Sequence, residues 1–255
     1  VVHPAATPAA AREAVAEQRA YAVVDVVGGV PQLQLSSASG SSVARVLTTA
    51  ALQVSDASGQ RWAVSDLHPL PSSDPSGLAV FYLVLGSTIL GFVTTFQLRA
   101  NAKPLPLRDW LAVTGALSVL GGLVLAATAQ GLGVPVVLWE AWGLLTLQMA
   151  TASAFAGTAA LLVGRWSILP TWLLFVVLGN TSSGGAVAPA LLPEPFSALS
   201  RVLPTGSTVS ALRSAAYFPD QQHLEPLLVL GAWAAVTTAA LVVVSRRRGR
   251  SPGED

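Results

Sequence analysis

Few side chains in this sequence could do chemistry, and Glu140 is the most conspicuous of them. It is the only acidic residue inside an apolar run, and Trp139 and Trp142 flank it. We expect it about two turns inside the outer end of its helix. A carboxylate at membrane depth is typical of a proton or substrate site, or of a partner for arginine. The alternative is a hydrated carboxylate at the membrane interface, which the two tryptophans also favour.

A polar break between two apolar runs is the second candidate site. The run before it, residues 166–179, is shorter than the about 20 apolar residues that a spanning helix needs. Exposed backbone at membrane depth is tolerated only inside protein or beside a water-filled cavity. We therefore predict a re-entrant outer region over residues 180–225. Its translocation path or gate would lie at Asn180, Ser182, Ser183, Gly184 and Gly185. The alternative is a surface loop in which glycine caps a helix.

A short basic loop carries the third candidate site, at Arg99, Lys103 and Arg108. These residues are predicted to contact a cytoplasmic partner or anionic lipid. The alternative is that their charges only set the topology.

Catalytic and metal-binding patterns are missing from the sequence. There is no cysteine, and the three histidines lie outside the apolar runs. There is no phosphate-binding Gly-x-x-x-x-Gly-Lys loop, and no His/Asp/Glu cluster has metal-ligand spacing. The sequence therefore predicts no enzyme, no catalytic residue, no cofactor and no metal.

The composition indicates an integral membrane protein. Of 255 residues, 52% are hydrophobic and only 11% are charged, against about 25% charged in soluble domains. The net charge of +1 argues against a nucleic-acid partner. Lys103 is the only lysine, and the bias toward Arg, Ala, Val, Leu and Gly suggests a GC-rich bacterial genome.

Residues 1–76 are predicted to form a small α/β unit with the element order α-β-β-α-β, ending in a proline-rich linker. Such a short unit cannot bury a full core alone. We expect further or partner sequence to complete it, and we expect sequence upstream of Val1 because no signal sequence is present.

Residues 77–255 are predicted to form an all-α, polytopic membrane domain. Its five transmembrane helices cover about residues 77–98, 110–130, 134–164, 166–180 and 226–245, followed by a tail at 246–255. If the five helices cross the membrane in alternating directions, one side of the membrane carries Arg99, Lys103, Arg108, Arg165 and the tail. That side is cytoplasmic by the positive-inside rule, so residues 1–76 are extracytoplasmic. An odd number of spans predicts one further helix upstream.

Small residues form stripes along these spans, including Gly91, Ser153 and Gly157. Such stripes are typical of close helix packing within the chain, and a dimer interface is the alternative.

Two segments resemble the end of ABC-2-type membrane permeases, residues 178–193 (LGNTSSGGAVAPALLP) and 203–218 (LPTGSTVSALRSAAYF). The chain is most similar to the actinobacterial branch related to the phage infection protein (YhgE/Pip) family, without its first transmembrane helix. The resemblance implies an outer re-entrant hairpin between the last two spans and an extracytoplasmic domain after the first. The loop from Arg99 to Arg108 is shorter than the coupling helix that contacts the ATPase in that superfamily.

The resemblance implies a permease-type subunit in the bacterial plasma membrane, without its own ATPase, for a lipid-like or cell-envelope substrate. Its expected partners are membrane lipids, a second copy or another membrane chain, and a separate cytoplasmic ATPase. The alternative is a non-transporting scaffold or receptor whose extracytoplasmic domain binds an envelope partner.

Overall fold

A small three-stranded sheet forms the N-terminal part of the chain. The computed structural model describes residues 3–101 and 105–248. The elements are α1 (Pro8–Ala16), β1 (Ala22–Val27), β2 (Val30–Leu35), α2 (Ser41–Ser58) and β3 (Ala63–Asp66). β1 and β2 form an antiparallel hairpin, and β3 pairs parallel to β2 after the α2 crossover. The element order is the one that the sequence predicts.

The core of this unit is thin. Leu33 and Leu35 pack with Ala44 and Ala51 of α2. At the sheet edge, β1 leaves Val24 61% exposed and Val26 64% exposed. The hairpin turn needs Gly28 and Gly29, whose φ angles of 62° and 80° suit glycine.

Apolar helices make up most of the remaining chain. They are α3 (Ala79–Asn101), α4 (Leu107–Gly131), α5 (Leu138–Val163) and α10 (Leu224–Arg248). Four helical stretches are long and apolar enough to cross a membrane, and the longest runs from Leu138 to Thr181. These four stretches fit a membrane-embedded protein, and the described residues do not establish a fifth span.

The longest stretch reverses direction in its middle. A 3₁₀ turn at Gly164–Ser167 follows α5, and Gly164 has a positive φ of 60°. The chain continues as α6 (Ile168–Trp172), a π-helical segment (Leu173–Leu178) and α7 (Gly179–Thr181). The rings of Phe155 and Phe175 lie 5.6 Å apart, whereas a straight helix would separate these residues by about 30 Å. Residues 168–181, the short arm, therefore run back along α5.

α5 is the central helix, and small residues let its neighbours approach closely. It packs against α3, α4, α9 (Pro204–Tyr217) and α10. A Cβ on Gly91 would lie 2.4 Å from the Met149 carbonyl oxygen, and Ser153 Oγ donates to the Gly91 carbonyl at 2.7 Å. Gly157 packs against Trp110 and Leu241. Both contacts join elements of one chain, as the packing interpretation of the small-residue stripes predicts.

The bundle has two chemically different ends. Arg99 ends α3, Arg108 begins α4 and Arg165 follows α5. The contact of Gly157 with Trp110 and Leu241 brings the end of α10, with Arg246, to this same basic end. Lys103 and residues 249–255 lie outside the described residues. The sequence-based charge threading is thus reproduced at Arg99, Arg108, Arg165 and Arg246, while the membrane face of each end remains a prediction.

The α/β unit lies at the opposite end, here called the domain end. Ser73 Oγ donates to the Gly133 carbonyl at 2.7 Å, between α4 and α5. Asp74, 8% exposed, caps α3: its carboxylate accepts from the backbone N–H groups of Leu78 at 3.0 Å and Ala79 at 2.8 Å. Tyr217 Oη donates to the same carboxylate at 3.4 Å. Asp74 therefore ties the linker to both α3 and α9.

Asp74→Ala is expected to lower the thermal unfolding midpoint in detergent. Losing a helix cap costs about 1 kcal/mol, which is about 2–4 °C for a chain of this size. Asp74→Asn keeps a cap acceptor and should stay near the parent value. Asp220→Ala, at an exposed acidic residue, is the matched control. Equal midpoints for Asp74→Ala and Asp220→Ala would contradict the capping role.

Candidate functional site

A polar cavity of about 520 Å³ lies at the domain end of the bundle. Its walls come from three parts of the chain that are distant in sequence. These are the α/β unit, through the loop between α1 and β1 and through Ser39; the chain after α7, at residues 183–189; and the segment from the end of α8 (Phe196–Val202) through α9 to the start of α10. The domain-end cavity therefore joins the α/β unit to the membrane bundle.

The floor of the cavity is a helical hairpin made of α8 and α9. Leu203 is extended, and Pro204 begins α9 at the first helical position, which its fixed φ favours. A Cβ on Gly206 would lie only 2.0 Å from the Ser200 carbonyl oxygen. Glycine is therefore required at this position for α8 and α9 to pack this closely.

A buried polar group sets the depth of the hairpin. Gln148 is fully buried on α5. Its Nε2 donates to Thr88 Oγ1 of α3 at 2.8 Å, and its Oε1 accepts from Thr208 Oγ1 of α9 at 2.9 Å. Gln148 follows the start of α5 by ten residues, or about 15 Å. The beginning of α9 thus lies inside the bundle, about 15 Å along a helix whose 26 residues span about 39 Å.

The predicted gate residues lie at the domain end rather than at the deepest point. Ser182 and Ser183 are buried, and Arg213 Nη2 donates to the carbonyls of Gly184 at 2.9 Å and Gly185 at 3.3 Å. Ser183 and Gly184 line the cavity. Asn180 is partly buried, and its carbonyl accepts from Ser183 Oγ at 2.9 Å. Within the predicted region 180–225, the deep part is the hairpin of residues 196–217.

Glu140 does not line the cavity. It lies in the first turn of α5, rather than about two turns inside its helix, because α5 begins at Leu138 and not at residue 134. Its carboxylate accepts from Gln222 Nε2 at 3.2 Å. Arg99 and Arg108 lie at the basic end, so the structure separates them from the gate residues.

Arg19, Arg201 and Arg213 line the cavity, and none of them is a site residue predicted from the sequence. Arg201 and Arg213 lie within the predicted outer region 180–225. They were detectable as basic residues in a region that the charge threading assigns to the outer side, where arginine is unusual in short loops. The other cavity residues, such as Glu17, Tyr21 and Glu225, carry no signal in a single sequence. They lie too far apart in the chain to form a motif.

The phenols near the cavity are neutral at pH 7, as their ordinary pKa of about 10 already requires, and burial acts in the same direction. Tyr21 lines the cavity, and burial raises its pKa above the ordinary value against the lowering effect of Arg213. Burial also raises the pKa of Tyr217, and the Asp74 carboxylate beside it acts in the same direction. Neither phenol therefore cancels the charge of the arginines.

Unpartnered hydroxyls mark the deep part of the hairpin. Ser207 is 2% exposed and lines the cavity. Its Oγ, like that of Thr205, has no hydrogen-bond partner among the described residues. A buried hydroxyl without a partner costs about 1–3 kcal/mol. The described residues contain no group of three His, Asp or Glu side chains that could hold a metal ion.

No protein-family model, curated protein or solved structure matches the chain.

Gln148→Leu is expected to destabilise the bundle by about 1–2 kcal/mol, the cost of losing polar contacts between helices. Thr88 and Thr208 keep carbonyl acceptors in their own helices, at 2.7 and 2.8 Å, so no orphaned hydroxyl adds to that cost. Unfolding by SDS in mixed micelles measures the difference. Gln130→Leu, at an exposed residue of α4, is the control. A Gln148→Leu protein as stable as Gln130→Leu would show that the bridge does not hold the hairpin.

Proposed function

We propose that this chain is a permease-type subunit of a bacterial plasma membrane, which exports or handles an amphipathic cell-envelope substrate. The domain-end cavity is the observation that carries the proposal. Most of its lining residues are polar, and its floor is a helical hairpin whose first turn lies inside an apolar bundle. Binding sites at this depth, built from interrupted helices, are typical of transporters.

The proposal includes a topology finer than the four apolar stretches. In it, the short arm of residues 168–181 is a fifth crossing, and α8–α9 is a re-entrant hairpin entered from the outer face. The reversal at Gly164 supports a separate arm. The arm spans about 21 Å, so the membrane would thin locally or a partner chain would cover it. The α/β unit would then be extracytoplasmic and the C-terminus cytoplasmic.

The partners are part of the proposal. Trp166, Ile168, Leu169, Trp172 and Leu173 are each more than half exposed, which supports coverage by lipid, a second copy or another membrane chain. Arg99 and Arg108 at the basic end support a contact with a cytoplasmic ATPase or anionic lipid, together with Lys103. Membership of the YhgE/Pip branch of ABC-2-type permeases is part of the proposal, and the resemblance of residues 178–193 and 203–218 supports it.

A scaffold or receptor is the second candidate function. The exposed Val24 and Val26 at the β1 edge favour it, because an open strand edge with apolar side chains can pair with another protein. In that case deletion of residues 1–76 would abolish function, whereas charge reversal of the Arg99–Arg108 loop would not.

Single cysteines test the topology, since the native chain has none. Asp220→Cys, exposed at the domain end, should react with a membrane-impermeant maleimide in intact cells. Asn101→Cys, exposed at the basic end, should react only after permeabilisation. The reverse pattern would overturn the proposed orientation.

Reactivity of Ser207→Cys tests the permease interpretation. A water-filled path to the hairpin predicts that a small charged thiosulfonate added outside modifies Ser207→Cys, although this residue is deeply buried. Thr146→Cys is the matched control, because its hydroxyl is also buried and unpartnered among the described residues but does not line the cavity. Equal, negligible modification of both would support a scaffold without a path.

A further inference from the structure

We propose that the domain-end cavity binds the oxyanion of an amphipathic ligand, such as a phosphate or phosphodiester head group, through Arg201, Arg213 and Ser207. The inference rests on the proposed function and adds the chemical class of the ligand. It depends on charge, on an unsatisfied buried hydroxyl and on the direction of α9.

The charged groups of the cavity leave an excess of positive charge. Its arginines are Arg19, Arg201 and Arg213, its carboxylates are Glu17 and Glu225, and His223 is also present. Arg19 and Glu17 neutralise each other in an ion pair. One carboxylate, Glu225, then remains against Arg201 and Arg213.

The two remaining arginines have donors to spare. Arg213 uses Nη2 for the loop carbonyls of Gly184 and Gly185, and a guanidinium has five N–H donors. Arg201 makes no hydrogen bond or ion pair through its side chain with any residue that the structure describes. Planar guanidinium donors match the oxygens of phosphate in pairs.

Ser207 supplies the independent observation that points to a ligand. Its hydroxyl is almost fully buried, lacks a partner among the described residues and belongs to a residue of the cavity wall. It lies in the first turn of α9, where the helix dipole favours negative charge. An oxyanion placed there would accept from the Ser207 hydroxyl and remove the cost of leaving it unpaired.

The surroundings of the cavity suit a ligand with an apolar part. A volume of about 520 Å³ exceeds what a single phosphate fills and lies within the range of small-molecule sites. Exposed apolar side chains adjoin its wall in sequence. Val202 follows Arg201, and Leu224 lies between His223 and Glu225, with exposed fractions of 54% and 73%. A head group in the cavity would therefore leave its acyl chains next to apolar surface.

Ligand-induced stabilisation of the purified full chain tests the proposal. Dioleoyl phosphatidylglycerol in detergent micelles should raise the unfolding midpoint saturably, and dioleoylglycerol, with the same chains and no phosphate, should not. Arg201→Gln should weaken the apparent affinity about tenfold or more, as expected for a lost charge-assisted hydrogen bond. Arg61→Gln, an equal charge change at an exposed residue outside the cavity, should leave it unchanged.

Ser207→Ala separates a binding role from a structural one. Removing an unpaired buried hydroxyl should leave the ligand-free midpoint equal or higher, while the affinity for phosphatidylglycerol falls several-fold. Thr146→Val is the control: it removes another buried, unpartnered hydroxyl that does not line the cavity, and it should not change the affinity for phosphatidylglycerol. We expect the Ser207→Ala and Thr146→Val proteins to fold. The proposal can therefore be tested even if substitution of Arg213 prevents folding.

The outcomes separate the sources of the oxyanion. A saturable shift with inorganic phosphate but not with phosphatidylglycerol, lost in Arg201→Gln and Ser207→Ala, would support the oxyanion site but overturn the amphipathic ligand. A shift only with phosphatidylglycerol would support the site and assign a lipid. No shift with either probe, or equal shifts in all variants, would overturn the proposal. The permease interpretation is tested separately, because labelling of Ser207→Cys from outside depends on a water-filled path and does not depend on phosphate binding.

Discussion

The buried amide of Gln148 is the interaction on which the arrangement of the candidate site depends. In an apolar bundle a side-chain amide cannot be left unpaired, because its desolvation is not offset by water. Gln148 meets this constraint with Thr88 on one neighbouring helix and Thr208 on the other. The depth of α9 follows from this pairing, since a shift of one helical turn would break it. The position of Arg213 along the bundle follows from that of α9, because Arg213 is part of this helix.

Arg213 then links the hairpin to the loop after α7. Its guanidinium bonds two consecutive glycine carbonyls, and Gly185 packs so closely on Phe81 that a Cβ would lie 2.5 Å from that ring. The α/β unit closes the cavity from the other side, where Gln18 Nε2 donates to Ser214 Oγ at 3.1 Å and Ser42 Oγ accepts from the Ala188 N–H at 2.9 Å. A displacement of the hairpin would therefore break hydrogen bonds to both the loop after α7 and the α/β unit. This connection is the physical basis for considering the cavity and the hairpin as one site.

Local patterns are sufficient to predict part of this fold from the sequence. Period-two alternation and the Gly28–Gly29 turn predict the β-hairpin, and the apolar lengths predict α3, α4 and α10. Local patterns do not predict features that depend on long-range packing. The predicted separation of residues 134–164 from residues 166–180 agrees with the reversal at Gly164, but the sequence does not show that the second arm packs back along α5. Glu140 was assigned too deep a position because Pro135 and its neighbours extend the apolar run without extending the helix.

The amino-acid sequence by itself determined that this is an apolar, cysteine-free chain with a small α/β unit. It also determined that Arg99, Arg108, Arg165 and Arg246 share one end of a helical bundle. Composition, periodicity and charge are local properties, and they act on each segment independently of the others. Only the tertiary structure decided that α9 packs beside Gln148 of α5, and that Ser183, Ser207 and Arg213 line one cavity. Those residues meet because a buried glutamine on α5 must be paired. A single sequence does not reveal which distant hydroxyls will pair with it.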